Sequence, residues 1–491
     1  MIANPKKLRP YDEPPKRRRG LIPDWPGSAA TGFLVVATLW LALAGGIGLL
    51  AVGLRIFPNV SLSLPLIGDA KFQVDAGRAQ LAFLNAVVYG WLTNAGIAAI
   101  FFITSRLTGR RLFMEKMAML GLLFLNVGVL AGIAWIYIAN LGPATGLSAF
   151  AAPVNGLMLL GVLLAAGAFF GTEGDPTRGS RYISSWYFAI ALLALLGLLA
   201  GNVVLGVLDL PEKTEALASL FAERALEAYW LLGVALGTLY YVIPREAENP
   251  LYSTGVALLG WATWLLLAGP SALAPLVDPS VPYFVTTLGI VTTLLMLVPA
   301  FLVVANLVLT VRGRWSLLLS AGALPFAIVS LAFLLGTALL QGIGALRAVQ
   351  VLVDHTEWIN GAFIYATLGA YTFAMLSFAE YSLPRLLRRE WGGGFLSGAE
   401  LWTGFAGATI AGLALIGGGL AQGSLLTQSA APDQIDATLL PFRVAAAGGL
   451  GLWALAGLAL LVSLFLMYTS ARSAQYVLPQ TPTILPAVAD A

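Results

Sequence analysis

Long uncharged apolar runs alternate with short polar connections along almost the whole chain. The runs fall near 29–54, 79–105, 113–141, 150–171, 182–209, 225–243, 251–270, 283–311, 316–340, 359–383, 398–421 and 441–469. About 20 apolar residues cross a bilayer as a helix, so the pattern predicts an all-α polytopic membrane bundle of about 12 transmembrane helices. The connections are too short for linkers, which predicts one membrane domain over 29–469 between a tail at 1–28 and a tail at 470–491. The first tail, "MIANPKKLRPYDEPPKRRRGLIPDWPGS", is basic and proline-rich. The run after it is longer than a signal-peptide core and lacks a small-residue cleavage site, which predicts a retained first helix. Pro211 to Leu226 mixes charged and apolar residues at helical spacing and predicts an amphipathic helix on the outer surface.

Composition sharpens this. The chain is 59% hydrophobic and 10% charged, where a soluble domain is about 25% charged. Its surroundings are membrane lipid. A net charge of +3 is too small to indicate a nucleic-acid partner. The absence of cysteine excludes disulfides, iron–sulfur clusters and thiolate metal sites. An even number of helices places both termini on one side. If that side is the cytoplasm, it receives twenty of the 27 Lys and Arg residues, among them Lys6, Arg19, Arg110, Arg178, Arg314, Arg388 and Arg472. Seven fall outside: Arg55, Lys71, Arg78, Lys213, Arg224, Arg347 and Arg443. The excess of positive charge predicts cytoplasmic termini.

The stretch "DHTEWINGAFIYATLG" holds the only histidine, His355. A second feature is an echo: "YVIPR" (Tyr241 to Arg245) and "YSLPR" (Tyr381 to Arg385) each end an apolar run. An interfacial tyrosine, a helix-stopping proline and an inward arginine explain either alone. The repetition also predicts related positions for the sixth and tenth helices in a pseudo-symmetric bundle.

The blocks around these helices carry a resemblance. "LGTLYYVIPREAENPLYS" followed by "LLLAGPSALA" resembles helices six and seven of heme–copper oxidase subunit I, in the branch of C-type oxidases and bacterial nitric oxide reductases. "HTEWINGAFIYATLGAYTFAMLSFAEYSLPRL" resembles helix ten, "GRAQLAFLNAVVYG" helix two and "YISSWYF" the start of helix five. The likeness covers most of Gly77 to Trp391. It implies a subunit I-like bundle in a prokaryotic inner membrane, with cytochrome-bearing or other membrane subunits docking on the outer face.

The resemblance also implies two heme groups and a copper ion held by six histidines, because imidazole is a neutral donor suited to both metals. On the flanking residues, Phe83 stands at a low-spin heme position, Ala362 at the high-spin position and Ile364 at the second low-spin position. Arg224, Ser271 and Ala272 stand at the copper positions, and Leu265 at the tyrosine position of this branch. One imidazole cannot replace six, and His355 falls beside these positions, next to Asp354 and Glu357. The expectation is therefore no cofactor. The helical methionines, such as Met158, Met296 and Met375, read as core fillers.

Intramembrane ionisable residues are candidates for function. Arg224 and Glu227 lie three apart on one helix face, where opposite charges meet, either as a structural pair or with Arg224 filling the former copper cavity. Glu380 is expected to serve the interfacial arginines. Three functions follow: a non-catalytic subunit of a redox complex, an oxidase or nitric oxide reductase subunit with other ligands, and a proton- or ion-conducting bundle.

Overall fold

Lipid offers no hydrogen bonds, so a spanning segment must satisfy its backbone internally, and each apolar run folds as a helix. The structure, a computed structural model, describes residues 22–57, 60–65, 71–138, 150–174, 181–208, 210–319, 322–389, 391 and 394–469. Residues 1–21 of the basic tail, Arg178, and the C-terminal tail 470–491 with Arg472 lie outside the described residues.

Among the described residues, twelve helices are long and apolar enough to cross a membrane. They are α1 (Ser28–Ile56), α2 (Ala76–Thr108), α3 (Glu115–Ile138), α4 (Ala152–Glu173), α5 (Ile183–Leu205), α6 (Glu212–Glu246), α7 (Thr254–Ser271), α8 (Tyr283–Thr310), α9 (Ala323–Ala345), α10 (Glu357–Leu387), α11 (Gly394–Thr427) and α12 (Pro432–Thr469). A short hairpin, β1 (Leu62–Pro65) against β2 (Lys71–Val74), joins α1 to α2 with Leu62 opposite Val74. In α8 the helix is interrupted at Met296, where Pro299 lacks an N–H to donate and its ring crowds the preceding turn.

Contacts between connections define two faces. On the face where the described chain starts and ends, Lys116 pairs with Asp24 and Arg385 with Glu246. On the opposite face, Arg55 pairs with Glu357 and Lys213 with Asp278.

The segment Pro211–Leu226 departs from expectation. It is no separate surface helix, because Glu212–Ala225 runs without a break into the rest of α6. The helix has 35 residues, or about 50 Å at 1.5 Å each, against a hydrocarbon core of about 30 Å. Its polar first turns therefore project from the face opposite the termini. Polar residues at helical spacing mark a helix leaving the lipid as well as one lying on it.

Small residues set the tightest crossings, as expected where van der Waals packing drives association. A Cβ on Gly407 would lie 2.5 Å from Trp453 N, and one on Gly449 would lie 2.5 Å from Ala411 N. α11 and α12 touch backbone to backbone at that point.

Candidate functional site

The most enclosed spans are α2, α6 and α10, and each carries one widened, π-helical turn: Ala86–Leu92, Leu226–Leu231 and Tyr365–Tyr371. A π turn displaces carbonyls from the regular ladder and often occurs at functional sites. Polar side chains satisfy the displaced groups. Thr93 Oγ1 donates to Val88 O at 2.9 Å, Asn94 Nδ2 to Tyr89 O at 3.1 Å and Thr372 Oγ1 to Thr367 O at 2.7 Å. The same threonines accept from indoles across the centre. Trp91 Nε1 on α2 donates to Thr372 Oγ1 on α10 at 3.1 Å, and Trp230 Nε1 on α6 donates to Thr93 Oγ1 on α2 at 3.0 Å. The three helices are thus joined directly, indole to hydroxyl.

The two Tyr-x-x-Pro-Arg motifs meet at the terminal-bearing face. The Tyr241 and Tyr381 rings pack edge to face at 5.8 Å, with Arg245 over the first and Arg385 over the second.

Phe83 is buried on α2, its ring 6.5 Å from that of Trp453 and against Gly48, where a Cβ would come within 2.8 Å of it. Ile364 is buried on α10 immediately before the π turn. The backbone oxygen of Leu265 accepts from Tyr229 Oη at 3.3 Å. Ala272 is buried at the end of α7, and Ser271 Oγ donates to Ala268 O at 2.8 Å.

Arg224, Ser271 and Ala362 line one cleft of about 110 Å³ near the face opposite the termini, together with Glu227, Gln341 and Asp354. A smaller apolar cavity of about 40 Å³ adjoins it through Leu232, Met296, Gln341 and Tyr371. Glu227 lines the first and touches two residues of the shared wall. Its Oε2 accepts from Arg224 Nη1 at 3.2 Å, and its Oε1 accepts from Gln341 Nε2 at 2.8 Å and from Tyr371 Oη at 3.4 Å. The Glu227 side chain is 4% exposed while the Arg224 side chain is 34% exposed, so the arginine joins the buried acid to the cleft.

His355 lies outside this arrangement. Its side chain is 93% exposed and its backbone is left-handed at φ 56°, beside Asp354 Oδ2 at 3.6 Å. Glu357 instead ties α10 to α1, accepting from Arg55 Nη1 at 2.9 and 3.0 Å, and its own N–H donates to Gln422 Oε1.

Residues 28–452 match the family described as Cytochrome C and Quinol oxidase polypeptide I. The chain belongs to this family. Among its relatives is the Cbb3-type cytochrome c oxidase subunit CcoN1 of Stutzerimonas stutzeri, 24% identical over 73% of this chain and 75% of that one. The cytochrome c oxidase subunit 1 of Rhodobacter capsulatus is 25% identical over 72% of this chain and 68% of that one. A heme–copper terminal oxidase dimer solved by cryo-electron microscopy has the same fold, with a TM-score of 0.74 at 14% identity, covering 91% of this chain and 84% of that chain.

The family implies heme and copper, and the side chains at the positions assigned by resemblance do not fit them. Phe83, Ala362 and Ile364 offer no lone pair, and Phe83 is packed against Trp453 and Gly48. A guanidinium has donors and no acceptor, and Arg224 spends one on Glu227. The sequence reading had missed Trp91, Trp230, Thr93 and Thr372 as the central cross-links and Gln341 and Tyr371 as partners of Glu227. An indole in an apolar run carries no signal of where its N–H points.

Proposed function

We propose that this member of the family is a non-catalytic membrane subunit of a redox complex, with no heme or copper of its own. The donor set carries this reading: at the positions where the resemblance requires six imidazoles stand Phe83, Arg224, Ser271, Ala272, Ala362 and Ile364. The packing of Phe83 supports it, because a ring with no lone pair, held against Trp453 and Gly48, fills one of those positions. The charge asymmetry of the connections supports cytoplasmic termini, which turns the projecting start of α6 toward the outside. That projection is the docking surface we assign to partner subunits.

The test is spectroscopic. The tagged full chain is purified from its own membranes with its partners, then separated from them. The expected result is that any heme absorbance and any copper follow the partners, and that mass spectrometry identifies those partners as electron-transfer subunits. Stoichiometric heme remaining with the isolated chain would overturn the reading and favour an oxidase subunit with other ligands.

A further inference from the structure

Among the described residues, two buried carboxyl groups on α10 and α11 lack any charged partner. Glu400 on α11 is fully buried, and neither of its oxygens has a hydrogen-bond partner. Glu380 on α10 is 6% exposed, and its Oε1 is equally unpartnered. The helix register brings them to one seam. Gly404 packs between Phe373 on α10 and Ala456 on α12. One turn toward the terminal-bearing face along antiparallel helices, Glu400 follows Gly404, Ser377 follows Phe373 and Leu460 follows Ala456, with Glu380 on the next turn of α10. Ser377 Oγ is buried and unpartnered as well. Each carboxyl lies within electrostatic reach of the other.

Ser397 on α11 offers Glu380 a hydrogen bond, and the groups facing the seam offer no compensating charge. None of the ion pairs among the described residues includes Glu380 or Glu400. Arg385 on α10 pairs with Glu246 on α6 at 3.5 Å and stacks on Tyr381. Arg245 on α6 lies over Tyr241, and Arg106 on α2 over Phe102. Glu246 adds negative charge near Glu380. The buried face of α12 carries no ionisable residue.

We propose that Glu380 and Glu400 form an intramembrane proton-binding site that holds at least one proton at neutral pH. An ionised carboxylate without a partner costs several kcal/mol even after relaxation, and a buried group meets that cost by neutralising. Two neighbouring carboxylates cannot both remain ionised. Intramembrane acids of this kind mark proton sites. The site goes beyond the proposed function and holds whether or not the chain carries heme.

The full chain in detergent is treated with dicyclohexylcarbodiimide, which enters lipid and reacts with protonated carboxyls, and the adducts are mapped by peptide mass spectrometry. Infrared spectra at neutral pH are compared with those of E380Q/E400Q, two near-isosteric changes. The expected result is an adduct on Glu380 or Glu400, together with a carboxylic-acid carbonyl band that shifts in deuterium oxide and is lost in the double variant. Modification only after acidification, or a double variant that loses carboxylate bands and no acid band, would overturn the proposal. Adduct mapping on the unmutated chain needs no variant and remains decisive if E380Q/E400Q misfolds.

Discussion

Removing Arg224 should expose the dependence of Glu227 on its partners. The acid sits inside the bundle with three donors, and among the described residues only Arg224 neutralises it. Breaking a buried pair by deleting one partner costs about 3–5 kcal/mol. Arg224 is a third exposed, so water screens part of the interaction and exposed pairs contribute under about 1 kcal/mol. The expected cost of Arg224→Ala is therefore intermediate, about 2 kcal/mol. Glu227→Gln should cost less, about 1 kcal/mol, because Arg224 can then turn to water while the new amide keeps hydrogen bonds to its neighbours. In the double variant the two changes should not add, since the amide leaves no buried charge for Arg224 to neutralise, giving a coupling of about 1 kcal/mol or more. Unfolding in mixed micelles, followed by tryptophan fluorescence across the four chains, measures all terms. Additive effects, or a neutral Arg224→Ala, would show that the pair is a surface contact and that the cleft does not depend on it.

Two further outcomes rest on other parts of the bundle. Gly407→Ala places a methyl group against the α12 backbone and should destabilise by about 1–3 kcal/mol through overpacking, read in the same unfolding assay, whereas Gly398→Ala, with open space around it, should be tolerated. Asp278, on the face opposite the termini, is held at about 2 by the Lys213 ammonium and then by Ser280. Because that lowered value lies below its ordinary range near 3.9, the contact contributes above about pH 4 and is lost as pH falls through about 2. Lys213→Ala should return Asp278 toward 3.9 in a carbon-13 carboxyl titration, and an unchanged titration would remove Lys213 as the cause.

Most of the fold was legible because a bilayer permits few solutions. Runs such as 283–311 had to become helices, and α8 follows that run within a residue at each end. The misread element, Pro211–Leu226, shows the limit. Amphipathic spacing reports that a helix has two environments, and it does not tell a helix lying along a membrane from one rising out of it. The π turns in α2, α6 and α10 left no trace either, since widening depends on which neighbours supply Thr93, Asn94 and Thr372 with room to bond backward.

The candidate site divides in the same way. The ion pair of Arg224 with Glu227 was readable because three-residue spacing puts two charges on one helix face, and the structure forms that pair. Gln341 and Tyr371 were not readable, because they reach Glu227 from α9 and α10 across sequence separations of 114 and 144 residues. Glu380 reads as a partner of the interfacial arginines because it lies near the end of helix ten where they cluster. The structure gives Arg385 to Glu246 instead, a choice made by the meeting of α6 and α10. Glu400 stood in plain view inside an apolar run and attracted no reading, since one acid among many apolar residues resembles a helix end. Its significance comes from Gly404, whose missing side chain lets α10 and α12 close over the seam. The small residue that makes the packing possible thus helps to bury Glu400 away from solvent.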